Sequence, residues 1–161
     1  MGAGASSQAS AALASAAARA DLATLESLLP DTPLKALASG DKADGWTPLH
    51  FAAGGGAASP FPLSSASADP SADAIALILS YGAPVDKGDR RGRTPLHVAA
   101  MTRNAPAAGA LVRAGHAQPN ARDRDGLTPL MAAAAVGAGE VVRVLLEAGA
   151  SAKASLKVWE W

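Results

Sequence analysis

The sequence predicts an all-α solenoid, in which helix-turn-helix repeats stack side by side and are joined by hairpin loops. Three observations predict it. The first is self-similarity: Gly45-Trp46-Thr47-Pro48-Leu49-His50-Phe51-Ala52-Ala53 returns as Gly92-Arg93-Thr94-Pro95-Leu96-His97-Val98-Ala99-Ala100, and again as Gly126-Leu127-Thr128-Pro129-Leu130-Met131-Ala132-Ala133, the mark of a repeat array. The second is local chemistry. A Thr hydroxyl accepts from the open first-turn amides of a helix, and Pro just inside the start loses nothing by lacking its N–H. The segments Ile78-Leu79-Ser80-Tyr81-Gly82, Leu111-Val112-Arg113-Ala114-Gly115 and Leu145-Leu146-Glu147-Ala148-Gly149 each end on a Gly suited to stop a helix in the left-handed conformation. The third is composition: 49% of 161 residues are hydrophobic and only 4% aromatic, and roughly a quarter are Ala. Such thin side chains suit closely approaching helices better than one thick core.

Taken in order, residues 1–9 are expected to form a flexible N-terminus. Met1-Gly2-Ala3-Gly4-Ala5-Ser6 fits M-G-x-x-x-[ST], which makes Gly2 a candidate N-myristoylation site. One acyl chain anchors only weakly, and neither a Cys for palmitate nor a basic cluster before Arg19 accompanies it. The alternative reading of the Ala/Ser-rich, acid-free start is an organelle transit peptide. An atypical first repeat, about 10–41, pairs a helix over Ser10–Arg19 with Ala20–Leu29, which aligns with the apolar end of Gly139–Leu146. Thr32-Pro33-Leu34-Lys35 lies only 15 residues before Thr47 and reads as part of a long first connection.

The second repeat, about 42–88, carries an insertion at 55–70. Thr47 to Gly82 spans 35 residues, whereas Thr94 to Gly115 and Thr128 to Gly149 both span 21. Its Gly, Ala, Ser and Pro, with one Phe61-Pro62-Leu63, predict a flexible loop. The third repeat, about 89–122, has Pro106 and Gly109 in its second helix, a soft spot by propensity. The fourth, about 123–155, replaces the motif His with Met131. The tail, 156–161, holds Leu156, Val158, Trp159 and Trp161 beside a last helix that is apolar on more than one face. Trp159 and Trp161 are therefore expected to fold back on the last helix pair or to enter a partner. A fragment of a longer array is the alternative.

The T-P-L-H-x-A signature on a period of about 33 residues and the L-L-x-x-G segments resemble those of the ankyrin repeat family over about residues 8–155. The resemblance implies an ankyrin repeat solenoid of four repeats. His50 and His97 would tie helix starts to neighbouring backbone. Partner contacts would fall on the hairpin tips, on the residues just before the motif Thr and on the ends of the first helices. In this sequence those positions are Ala43, Asp44 and Trp46; Arg90, Arg91 and Arg93; Arg122, Arg124, Asp125 and Leu127; and Gly54, Gly55, Met101, Thr102, Ala135 and Val136. An exposed Trp46 beside Arg has the residue types that dominate interface hot spots. The plainer reading packs Trp46 on its own hairpin and pairs Arg90 and Arg91 with Asp89 and Asp86.

Other chemistry finds few residues to work with. Fourteen basic and fourteen acidic residues balance, against the basic excess of nucleic-acid binders. The absence of Cys removes disulfides and thiolate metal sites. His116 follows a helix-ending Gly as a surface residue, and the calcium-loop imitation at Asp123-Arg124-Asp125-Gly126 places Ala121 and Ala132 where carboxylates are needed. No phosphate-binding Gly motif occurs. The expectation is a non-catalytic protein-interaction module without cofactor or metal, an adaptor or scaffold in a larger assembly, binding another protein with an acidic surface. It would be cytoplasmic, with Gly2 offering a weak membrane tether. The rival expectation is a regulatory or inhibitory subunit of an enzyme.

Overall fold

The computed structural model describes residues 3–54 and 70–153, and all regular structure among them is helical. Two rows of helices run through it. The inner row is α1 (Ala3–Arg19), α4 (Pro48–Gly54), α6 (Pro95–Met101) and α8 (Pro129–Ala135); the outer row is α2 (Leu22–Leu28), α5 (Pro70–Ser80), α7 (Ala105–Arg113) and α9 (Gly139–Glu147). Each helix packs on its successor in the row, and each inner helix packs on its outer partner. The long first connection passes through a single 3-10 turn (Leu29–Asp31) and the one-turn helix α3 (Leu34–Leu37).

A seam of fully buried side chains joins the rows: Leu13, Leu25, Leu29, Leu37, Leu49, Ile75, Ile78, Leu96, Leu111 and Leu145. Between inner helices the fill is small, with Ala16, Ala17, Ala52, Ala53, Ala99, Ala100 and Ala133 at 0% exposure. Ala lets the helix axes approach, so burial comes from many thin contacts.

Three expectations are corrected. The first helix starts at Ala3, not Ser10, so residues 3–9 belong to it and not to a separate flexible segment. No Pro interrupts this Ala-rich stretch and Ala is the best helix former. Pro70, expected within the insertion, is instead the first residue of α5, where its missing N–H costs nothing. The remainder of the insertion, 55–69, lies outside the described residues. Helix α7, the expected soft spot with its Pro106 and Gly109, is capped by Asn104, which accepts from the Ala107 amide at 3.0 Å, and α5 and α9 pack on it.

The third correction concerns how the outer helices stop. Gly82 and Gly149 take the left-handed conformation at φ 82° and 86°, but in the third repeat it is His116 that does so, at φ 53°. Gly115 is needed for space. A Cβ there would meet Val85 Cγ2 at 2.7 Å and the Leu111 carbonyl oxygen at 2.8 Å. The extra residue delays the next buried alanine: Ala83 and Ala150 follow their Gly directly, whereas Ala117 follows Gly115 by two. That residue explains why Thr94 to Thr128 spans 34 residues.

Candidate protein-binding surface

Each hairpin is built around one aspartate. Asp41, Asp89 and Asp123 accept through Oδ1 from the amides of Trp46, Arg93 and Leu127 at 2.8, 2.9 and 2.8 Å. Their own amides donate back to the carbonyls of the same residues at 2.9, 2.9 and 3.0 Å. Consecutive hairpins are then joined, Arg90 N–H donating to the Asp44 carbonyl and Arg124 N–H to the Arg91 carbonyl, both at 2.9 Å. Gly45 and Gly92, at φ 77° and 76°, leave space for this approach: a Cβ on either would stand 3.2 or 3.1 Å from the incoming amide nitrogen.

The histidines fix the hairpins to the helices. In His50, Nδ1 accepts from the Thr47 amide at 3.1 Å, so Nε2 carries the proton and donates to the Arg93 carbonyl of the next repeat at 2.8 Å. His97 repeats this with the Thr94 amide at 3.2 Å and the Leu127 carbonyl at 3.0 Å. Burial holds both rings below the ordinary histidine value, outweighing the hydrogen bonds to Arg93 and Leu127 that favour the proton. Met131 has no ring to offer, and the Thr128 hydroxyl oxygen accepts from its amide at 3.3 Å.

On this frame the residues singled out in the sequence divide into two groups. Trp46, Arg93 and Leu127, at equivalent positions, are half-buried. Trp46 is not the exposed finger expected. Its ring stacks on His50 (centroids 6.1 Å, 26°), meets Phe51 edge-on at 5.3 Å, and leaves Nε1 buried without a hydrogen-bond partner among the described residues. Nor does Arg93 point outward: it closes an ion pair with Asp89 at 2.7 Å, at side-chain exposures of 16% and 0%. Burial raises the Asp89 carboxyl, but the Arg93 side chain, the Arg93 and Arg91 amides and the Arg93 charge together bring it below the usual carboxylate value.

Arg90, Arg91, Arg122 and Arg124 are exposed. Arg90 Nη2 donates to the Lys42 carbonyl at 2.6 Å and Arg122 Nη1 to the Gly126 carbonyl at 2.9 Å. Neither the Arg90 nor the Arg91 guanidinium takes the expected acidic partner: Asp89 is held by the Arg93 side chain and accepts the Arg91 amide at 2.8 Å, and Asp86 accepts the Gln118 amide at 3.1 Å. The heads of Arg91 and Arg124 make no hydrogen bond or ion pair among the described residues. Met101, at the end of α6, is 44% exposed. Thr102 donates to the Val98 carbonyl at 2.9 Å, Ala135 is exposed and Val136 half-buried. Gly2, Gly55, Trp159 and Trp161 lie outside the described residues.

The three hairpin aspartates were not singled out from sequence, although an Asp three or four residues before each hairpin Gly was there to be read. Among the described residues no group of three or more His, Asp or Glu is placed to hold a metal ion, and no helix is long and apolar enough to cross a membrane.

Helix pairs stacked in two rows, with hairpins projecting from one edge and bonded tip to tip, define a repeat solenoid of the kind that binds through its extended surface. The chain belongs to the ankyrin repeat family: the family model for ankyrin repeats, three copies, matches residues 63–155. Such repeats are in general protein-protein interaction modules. No curated protein matches the chain.

Proposed function

We propose that this chain is an adaptor or scaffold subunit that binds an acidic segment of another protein across the tips of its second and third hairpins. The supporting observation is that Arg91 and Arg124 stand on adjacent hairpins, tied through the Arg124 amide and the Arg91 carbonyl, with both guanidinium heads exposed and uncommitted among the described residues. The Arg124 stem lies along Gly92, whose Cβ would meet Arg124 Cγ at 3.3 Å. A stem already packed loses less freedom when its head is engaged, and planar guanidinium groups match carboxylates two bonds at a time. Arg90, Arg122 and Lys42 add positive charge on the same edge, against the exposed Asp44 and Asp125.

Affinity capture by the intact chain from its native extract tests this reading. Arg91→Glu with Arg124→Glu is expected to abolish capture while the helical signal and melting stay unchanged, because neither head supports the fold. Undiminished capture by that variant overturns it. A membrane tether through Gly2 belongs to the same proposal as a weak, reversible addition. Intact mass from a eukaryotic source decides it: a myristoyl group with Met1 removed supports the tether, and an unmodified Met1 dismisses it.

A further inference from the structure

The fourth repeat has a bare side. Positions completely buried in the second and third repeats open in the fourth: Leu49 and Leu96 correspond to Leu130, Ala53 and Ala100 to Ala134, and Ile75 and Ala108 to Val142. All six of the former are at 0% exposure, whereas Leu130 and Val142 are half-buried and Ala134 is exposed. Leu146 is 46% exposed. These residues share the side on which each earlier repeat receives its successor, the side across which His50 and His97 reach the next hairpin. Here the ring is replaced by Met131, half-buried. A His at this position would need a carbonyl one repeat further on, whereas Met needs only apolar cover. Leu130, Met131, Ala134, Val142 and Leu146 thus leave apolar surface open on this face, the kind of patch that soluble chains rarely leave open.

The residues that follow do not repeat the hairpin. Asp123 and Gly126, which close the third hairpin, lie six and nine residues after the buried Ala117, and the same count from Ala150 reaches Leu156 and Trp159. The sequence there offers neither the aspartate acceptor nor the Gly on which each earlier hairpin is built. Instead they carry Leu156, Val158, Trp159 and Trp161. The chain is pinned just before them. The Ala150 amide donates to the Leu145 carbonyl at 2.9 Å and the Ser151 amide to Asn120 Oδ1 at 2.7 Å, which places the start of this segment beside α9. Eight extended residues reach up to ~26 Å, more than twice the ~10 Å between packed helix axes. From its anchor the segment can cross both α9 and α8.

We propose that residues 156–161 dock on the bare side of the fourth repeat and cap it, with Trp159 and Trp161 covering Met131, Ala134, Val142 and Leu146. The cap covers the side on which each earlier repeat receives its successor. It is a site distinct from the hairpin tips and does not rest on the proposed function of those tips.

The full chain carrying Trp46→Phe tests this, because Trp159 and Trp161 are then its remaining tryptophans. A folded monomer, its mass fixed by sedimentation equilibrium, is expected to show blue-shifted emission protected from acrylamide. Adding Leu146→Glu should shift the emission to that of the urea-unfolded chain and remove the protection, with the far-ultraviolet circular dichroism unchanged. Ala134→Lys, on the other helix of the face, should do the same and serves if the first variant fails to fold. Solvent-exposed emission from the folded monomer overturns the proposal, as does emission unmoved by either substitution. Protection lost on dilution as a dimer dissociates overturns it too, since a second copy would then be the cover.

Discussion

Where α4 meets α6, and again where α6 meets α8, the repeats are joined at three levels. A histidine ring reaches the next hairpin's carbonyl, one hairpin amide bonds the previous tip, and at the outer corners Asp86 accepts the Gln118 amide and Asn120 the Ser151 amide. Where α1 meets α4 the joint has no such ring or hairpin bond among the described residues. It rests on packing, with Leu13, Ala16 and Ala17 completely buried on the α1 side. Apolar burial is non-directional, whereas the polar ties fix spacing and angle. The later joints are therefore geometrically locked, and the first is held only by contact. In a nearest-neighbour array the weakest joint opens first.

Leu13→Ala is expected to have the largest effect, removing about 3 kcal/mol from a joint that has little else. Amide exchange should accelerate in α1 and α2 before the hairpin amides of Arg90 and Arg124 respond. His97→Ala should cost slightly less, about 2 kcal/mol, the scale for leaving buried donors and acceptors unpaired. Its signature is opposite in place: Arg124 loses protection while α1 does not. Uniform acceleration in both variants would mean that the joints are energetically alike and would break the comparison.

Between pH 7.5 and 5, acid should act on the locked joints, which hold both buried rings. The folded pKa of His50 and His97 lies below that of the unfolded chain, about 6.5, so the unfolded state takes up protons first. Stability from the neutral rings is complete above that value and falls as pH drops below it. A protonated Nδ1 would also set a donor against the Thr47 or Thr94 amide. Asp89, held below its ordinary value, adds a second loss below about pH 3.9. Melting curves between pH 7.5 and 5 should therefore slope for the natural chain and flatten when both histidines are replaced by Gln. An equal slope in that variant would remove the rings from the account.

The smallest effects sharpen the comparison at the outer corners. Gly115→Ala drives a Cβ into the Leu111 carbonyl and should destabilise by about 2 kcal/mol. His116→Gly relieves a left-handed side chain and should stabilise by up to about 1 kcal/mol. At Gly149 the assignments reverse, because it has φ 86° and open space around its missing Cβ, so Gly149→Ala meets strain but no clash. Denaturant midpoints of the three variants check the pattern.

What could be read from sequence was whatever a recurring local pattern dictates: the Thr-Pro starts, the leucine seam and the Gly at the ends of α5 and α9. The histidine bonds followed from the family resemblance. Spacing alone does not supply them, since their acceptors lie 43 and 30 residues away. Three features escaped, each for its own reason. Gly115 matches its counterparts in sequence, and only Val85 from another repeat shows that it is there for space. Trp46 and Arg93 sit where tip residues project, and their half-burial comes from rings and an aspartate folded beneath them. The start of α1 was misplaced because an Ala/Ser/Gly stretch has no strong boundary signal to read.

The extra residue at the His116 corner bears on how such an array can be lengthened. It is absorbed within one turn: Ala117 returns to its buried place, its amide bonded to the Leu111 carbonyl at 3.0 Å, and the hairpin that follows closes as the others do. The outer corner thus tolerates a change of length, and the first hairpin does too, since Asp41 stands four residues before Gly45 where Asp89 and Asp123 stand three before Gly92 and Gly126. For anyone grafting a peptide, an affinity handle or a fluorophore into this scaffold, the place to cut is after an outer helix, away from Asp44, Arg90, Arg91 and Arg124, whose backbones tie tip to tip.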